Sequence, residues 1–219
     1  MPGVQTSAKD AAGAAPQTVV GLLGGSFNPA HAGHLEISHA ALKHLSLSAV
    51  WWLVSPGNPL KDPALYAPYQ ERFEGAARIV DDPRIIISDF ENDHGLQYTS
   101  DTIAALQDAH PTIKFIWLMG ADSLQSFHLW KNWRGIADRV AIAVFNRPGA
   151  ENAPIEAPAV KELSPHKVEF TDTAAMLERT PPVWTFIPLT NNSISSTELR
   201  AARDKTVSDK NASDNNSRN

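Results

Sequence analysis

Short apolar runs alternate with segments of helical periodicity along most of the chain, and this alternation constrains the fold more than any other feature. The runs have the length and composition of buried strands, and several are followed by glycine or proline. The pattern predicts an α/β fold, a doubly wound and mostly parallel sheet of five or six strands with helices on both faces. The strand-like runs lie at 18–23, 49–54, 85–88, 113–119, 139–145 and 183–189.

The two ends of the chain differ in composition from the segment between them. Residues 1–17 are small and polar, and residues 204–219 are polar with mixed charge, so neither segment has much to bury. We therefore predict a disordered leader over 1–17, a single domain over 18–203 and a disordered tail over 204–219. The loops that follow the carboxyl ends of the strands are the expected place for function.

Composition excludes several classes of function. The net charge of -5 argues against a broad electrostatic grip on nucleic acid. The absence of cysteine excludes disulfides and thiolate metal sites, and it fits a cytoplasmic location. No apolar run approaches the ~20 residues that a membrane-spanning helix needs, so we expect no membrane association.

The segment GGSFNPAHAGH at 24–34 admits three interpretations. It is a glycine turn between a strand and a helix, or a metal site, or a cradle for phosphate. His31 and His34 are spaced to share a cation, but HExxH spacing is missing and no third ligand lies nearby. We therefore expect no protein-bound metal here.

The phosphate interpretation accounts for more of these residues. Glycine lets backbone N–H groups approach an anion, and the amino end of the following helix carries partial positive charge. Imidazole N–H groups add donors that can respond as charge develops on a phosphate. The segment matches neither the GxxxxGK[ST] nor the GxGxxG pattern, so it is neither a Walker loop nor a dinucleotide fingerprint.

The same segment resembles the (T/S)-x-x-H-x-G-H signature of the nucleotidyltransferase superfamily, with Ser26, His31, Gly33 and His34 in place. SISSTELR at 193–200 is similar to the ISSTxxR element of the small adenylyltransferases. Its Ser195 and Glu198 also form a capping box, which would stabilise a helix whether or not it bound an anion. The two readings are compatible, because a capped helix terminus with a nearby arginine is also an anion site.

Further segments resemble bacterial nicotinate-nucleotide adenylyltransferases, in that family's order. They are WWLVSPGNPLK, QYTSDTIAAL, FIWLMGADSLQSFHLWKNW and VFNRPG. The resemblance implies a Rossmann-like nucleotidyltransferase fold and transfer of AMP from ATP to nicotinic acid mononucleotide, giving deamido-NAD and pyrophosphate. It implies Mg²⁺ held mainly by the ATP phosphates, with ATP and nicotinic acid mononucleotide as the binding partners, and it leaves homo-oligomers open.

Carried over position by position, the resemblance implies a role for each matching residue. His31 and His34 would be the catalytic donors to the transition state, and Trp130 would stack on the pyridine ring. ATP would be bound by Gly24, Gly25, Ser26, Phe27, Gly120, Asp122, Ser195, Ser196 and Arg200. The acceptor would be bound by Lys61, Tyr98, Thr99 and Trp130.

Several alternatives stay open at this point. Without the resemblance, Trp130 is interpreted as a packing residue, with Trp133 on the same helix face. Asp122 is then interpreted as a helix N-cap. Asn28 stands where many family members carry aspartate. Nicotinamide mononucleotide and phosphopantetheine are the alternative acceptors. The alternative function is that of a sensor that binds nucleotide without catalysis. The polar tail after Arg203 departs from the helical segment usual in the family, which puts oligomer contacts in doubt.

Overall fold

The computed structural model describes residues 18–57, 66–146 and 157–189. The predicted leader and tail, and the boundary at residue 203, lie outside the described residues. So do Lys61, Ser195, Ser196 and Arg200. No helix in the described part of the chain is long and apolar enough to cross a membrane.

A parallel sheet forms the centre of the molecule, in the strand order β3-β2-β1-β4-β5-β7-β6. Every neighbouring pair of strands in it is parallel. The predicted α/β class and doubly wound architecture are thus confirmed. The strands are β1 Val19–Gly25, β2 Ala49–Val54, β3 Ile85–Ser88, β4 Lys114–Gly120, β5 Ala141–Asn146, β6 Lys167–Val168 and β7 Trp184–Pro188.

The described sheet has seven strands, so the predicted count of five or six was wrong. The additional strand is β6, which has two residues and pairs with β7 at the edge of the sheet. A strand of two residues contains no apolar run and no measurable alternation of buried and exposed side chains. Of the two residues in β6, only Val168 is buried.

The helices lie on both faces of the sheet. One buried cluster joins β-strand side chains to α1, α2 and α8, and includes Ile37, Ala76 and Met176. The other joins the opposite strand faces to α4, α5, α6 and α7, and includes Leu106, Ile136 and Leu163. The helices are α1 Ala32–His44, α2 Tyr69–Ile79, α3 Phe90–Asp93, α4 Thr99–Ala109, α5 Ala121–Ser126, α6 Trp133–Arg139, α7 Pro158–Leu163 and α8 Thr173–Glu178.

A buried hydrogen-bond relay fixes α1 against β2. The Ser38 hydroxyl donates to the carbonyl of His34 at 2.8 Å, and the Trp52 indole N–H donates to that hydroxyl at 2.7 Å. Ser38 and Trp52 are both fully buried, so each polar group needs such a partner. The relay therefore holds the first turn of α1, which carries His34, in a fixed place over the sheet.

Candidate active site

A cavity of about 530 Å³ opens where β1 to β4 end. Its walls include Gly24, Gly25 and Ser26 from the end of β1 and, from α4 and the chain before α6, Tyr98, Thr99 and Trp130. The strand order reverses between β1 and β4, the position at which open α/β sheets usually bind ligands. The structure thus brings six of the sequence-predicted site residues to one cavity.

The loop after β1 is packed tightly against the sheet. A Cβ atom at Gly24 would lie 2.5 Å from the Trp117 ring, so only glycine fits there. The Phe27 side chain is buried and stacks on Trp52, with ring centroids 4.9 Å apart. Phe27 has φ 46°, a strained conformation for an aromatic residue. Any contact of Phe27 with phosphate must therefore come from its backbone.

His31 and His34 form the amino-terminal cap of α1. Nδ1 of His31 accepts the N–H of Gly33 at 3.1 Å, and Nδ1 of His34 accepts the N–H of His31 at 3.2 Å. A neutral imidazole that accepts at Nδ1 carries its proton at Nε2. The capping contacts therefore select the tautomer in which each ring has Nε2–H as its donor. The two ring centroids are 3.9 Å apart, so the donors form one group.

Trp130 lies between two helices, at the end of the 3-10 turn Phe127–Leu129 and before α6. The expectation that Trp130 and Trp133 share a helix face was wrong, because Asn132 has left-handed backbone angles and interrupts the helix. Trp133 is buried and packs on Phe127 at 5.6 Å, whereas the half-buried Trp130 faces the cavity. Trp133 thus belongs to the core, whereas Trp130 packs against the core and also forms part of the cavity wall.

Gly120 and Asp122 stand at the end of β4 but not in the cavity wall. Gly120 is the N-cap of α5, so the alternative that Asp122 is the N-cap was wrong. The exposed Asp122 carboxylate turns back over Gly120, where a Cβ would lie 2.4 Å from its Oδ1. The neighbouring Ser123 does line the cavity.

Arg72 of α2 is a residue that sequence reasoning missed. It is 3% exposed, and its guanidinium donates to the carbonyls of Ser26 at 2.6 Å, Ser55 at 2.8 Å, Pro56 at 3.0 Å and Ala67 at 3.0 Å. Burial lowers the pKa of Arg72, because removal from water disfavours the charged guanidinium. Its donors tie the loops after β1 and β2 to the start of α2.

Ala67 connects this arrangement to the loop between β1 and α1. Its N–H donates to Asn28 Oδ1 at 3.2 Å, and its carbonyl accepts from Arg72 Nε. Asn28 is 7% exposed and Ala67 is half-buried, so this bond is partly shielded from water. A signal for Arg72 does exist in the sequence: it shares the helical spacing of the apolar residues Tyr69, Phe73 and Ala76.

Glu91 is a second missed residue in the cavity wall. It is 5% exposed and accepts the hydroxyl of Thr102 at 2.9 Å. Burial raises the pKa of Glu91 to about 7, and the Thr102 hydrogen bond only partly opposes this rise. The sequence signal is position alone, because Glu91 comes three residues after β3 at the functional end of the sheet.

Comparison with known sequences identifies relatives over most of the chain. A cytidylyltransferase-like family model matches residues 22–202. A protein of Agrobacterium fabrum, named as a probable nicotinate-nucleotide adenylyltransferase, is 42% identical over 83% of this chain and 97% of its own length. Proteins with the same name from Cereibacter sphaeroides and Methylorubrum extorquens strain PA1 are 46% and 44% identical, over 84% and 83% of this chain and 97% and 98% of theirs.

Solved structures show the same fold at lower identity. A Plasmodium falciparum nicotinic acid mononucleotide adenylyltransferase complexed with NaAD superposes with a TM-score of 0.61, at 18% identity, over 84% of this chain and 83% of that one. Its complex with APC gives a TM-score of 0.59 at 17% identity over the same shares. At this identity the likeness establishes the architecture only.

Proposed function

The chain belongs to the nicotinate-nucleotide adenylyltransferase family, and on that premise we propose that it transfers AMP from ATP to nicotinic acid mononucleotide, releasing deamido-NAD and pyrophosphate. The observation that carries this proposal is the identity of 42% over 83% of the chain. The cavity supports it, because a glycine loop and an indole lie in the walls of one space. Such a space suits a phosphate chain and an aromatic base together.

The reaction needs positioning and charge stabilisation rather than a general base. The acceptor phosphate has a second pKa near 6, so it is mostly dianionic at neutral pH. One of its oxygens attacks the α-phosphorus of ATP, the new O–P bond forms, and the bond to the β-phosphate oxygen breaks. Pyrophosphate leaves with that electron pair. Two anions must approach each other, so donors around the α-phosphate govern the rate.

In this proposal, His31 and His34 are those donors. Each ring directs its Nδ1 to the capping contacts of α1, which leaves Nε2–H as the donor of a neutral ring. Helix α1 has 13 residues, and its amino end adds partial positive charge to the same place. Gly24, Gly25 and the backbone of Ser26 and Phe27 would accept the phosphates, while Gly120 and Asp122 would meet the ribose.

Trp130, Tyr98 and Thr99 would bind the acceptor. Trp130 is held by edge contacts with Trp117 at 6.1 Å and Phe127 at 5.4 Å, so its ring is fixed before a ligand arrives. Tyr98 is the N-cap of α4, and its carbonyl accepts the N–H of Asp101 at 2.9 Å, so in this proposal the N–H groups of Thr99 and Ser100 face the acceptor carboxylate. Lys61, outside the described residues, would approach the acceptor phosphate.

Mg²⁺ would enter with ATP. Among the described residues of the cavity wall, Glu91 has the single carboxyl group, and it is already bonded to Thr102. Oxygen ligands for Mg²⁺ would therefore come mainly from the phosphates, and bound Mg²⁺ would neutralise charge on them. Ser195, Ser196 and Arg200 would bind the β- and γ-phosphates.

Pyrophosphate release tests the proposal. The full chain is mixed with ATP and Mg²⁺, and kcat/KM is compared for nicotinic acid mononucleotide, nicotinamide mononucleotide and phosphopantetheine. We expect the highest value with nicotinic acid mononucleotide. A higher kcat/KM with either of the other acceptors would mean that the protein performs the same chemistry on that substrate. ATP binding without pyrophosphate release from any acceptor would indicate the nucleotide sensor instead.

A further inference from the structure

Lys131 follows Trp130 directly and lies in the wall of the same cavity. Among the described residues that line this cavity, it has the single basic side chain. Its ammonium group lies 4.2 Å from the centre of the Tyr98 ring, so it stands over the turn that begins α4. The cation thus lies over Tyr98, and Lys131 adjoins Trp130 in sequence; the proposed function assigns both aromatic residues to the acceptor.

Besides its contact with the Tyr98 ring, Lys131 forms an exposed ion pair with Asp101. Its Nζ lies 3.0 Å from Asp101 Oδ2, and the two side chains are 52% and 44% exposed. The Lys131 ammonium, with help from the Ser100 hydroxyl, keeps the pKa of Asp101 below its ordinary range, so this carboxyl is charged at neutral pH. An ion pair this exposed adds little stability and exchanges its partner readily.

Asp101 therefore gives the Lys131 ammonium group a carboxylate partner that the carboxylate of a ligand can replace. A second carboxylate on an aromatic ring stacked at Trp130 would lie within the region that Lys131 can reach by rotating its flexible side chain. A carboxamide at the same position carries no charge and gains much less from the ammonium. Lys131 would then distinguish the two acceptors by their charge, while Trp130 binds the rings of both alike.

We propose that Lys131 sets the selectivity for a carboxylate-bearing aromatic acceptor, by exchanging the Asp101 carboxylate for the carboxylate of the ligand. This inference rests on the proposed function for the identity of the acceptor. It assigns to Lys131 a direct contact with substrate, and to Asp101 the role of a competitor. The two residues therefore have opposite effects on selectivity.

The test measures binding rather than turnover. Isothermal titration gives Kd for nicotinic acid mononucleotide and for nicotinamide mononucleotide, and their ratio is compared among variants of the full chain. Lys131→Met should reduce the preference for the acid by roughly tenfold, since a charge-assisted contact is lost. Asp101→Asn should increase it severalfold, because the competing carboxylate is removed. Lys43→Met, on the exposed surface of α1, is the matched control and should leave the ratio unchanged.

The ratio distinguishes selectivity from a packing role. If Lys131 only packs on Tyr98, Lys131→Met weakens both ligands equally and the ratio stays the same, which would overturn the inference. A lower ratio in Asp101→Asn would also overturn it. Failure of the proposed function has a different signature, namely no pyrophosphate release from the wild type while the binding ratio still responds to Lys131→Met.

Discussion

Glu91→Gln tests the electrostatics of the cavity through the pH dependence of stability. Burial raises the pKa of Glu91 from 4.5 to about 7. Between these two values the unfolded chain loses a proton that the folded protein keeps, so the free energy of unfolding falls as pH rises. A difference of about 2.5 pKa units corresponds to about 3 kcal/mol, at 1.36 kcal/mol per unit. The contribution of Glu91 to the free energy of unfolding is therefore fully present below pH 4.5 and is lost above about pH 7.

Glutamine keeps the acceptor for the Thr102 hydroxyl but has no proton to lose. We expect the variant to gain about 3 kcal/mol relative to the wild type between pH 4.5 and about pH 8. Urea denaturation at intervals of pH measures this gain, with m-values compared at each pH. Glu71→Gln, on an exposed position of α2, is the matched control and should show no such trend. A Glu91→Gln difference that does not vary with pH would refute the reasoning.

Three further predictions concern residues in or around the connection between β1 and α1. His34→Ala should lower kcat at least about a hundredfold with little change in ATP affinity, as when one oxyanion donor is removed; steady-state kinetics measure this. Arg72→Met should lower the free energy of unfolding, measured by urea denaturation, by at least about 3 kcal/mol, because buried carbonyls lose their donors. Arg72→Lys should lower it by less. Gly24→Ala should cost about 1–3 kcal/mol in the same assay, because the new Cβ meets the buried Trp117 ring.

Each of these predictions has a matched control in the chain. His39→Ala lies on the exposed side of α1 and should leave kcat unchanged. Arg78→Met removes an exposed arginine of α2, whose Nη1 lies 3.9 Å from a carboxylate oxygen of Glu74, and should change stability little. Gly57→Ala adds a Cβ that has no heavy atom of the described residues within 4 Å. Normal turnover in His34→Ala, or equal stability losses in target and control, would contradict the corresponding prediction.

The sequence predicts the fold through its apolar runs, because long buried strands such as β4 and β5 leave a clear signal. It does not predict β6, whose two residues pair through their backbone. It also could not place Trp130 outside a helix, because asparagine tolerates the left-handed angles of Asn132 without requiring them, so this residue alone does not mark the interruption.

The buried polar groups of the site were less predictable than its loops. Arg72 bonds to Ser26, 46 residues away, and the two meet only because parallel strands bring their carboxyl ends together. Glu91 lies in the polar stretch FENDHG, which gives no sign that its carboxyl is buried. Local periodicity reports which elements form, whereas burial of a single charge depends on distant segments.

Ala67 shows how a strict requirement can leave little trace in a family of sequences. Both of its backbone groups are engaged, the N–H by Asn28 and the carbonyl by Arg72, while its methyl group takes no part in either bond. Evolution could exchange alanine for many other residues here and keep both bonds. Proline alone lacks the N–H. In the sequences of the family, the constraint would therefore show as the absence of proline at this position rather than as the conservation of one residue. A position that varies freely among relatives can therefore still anchor a loop beside the cavity.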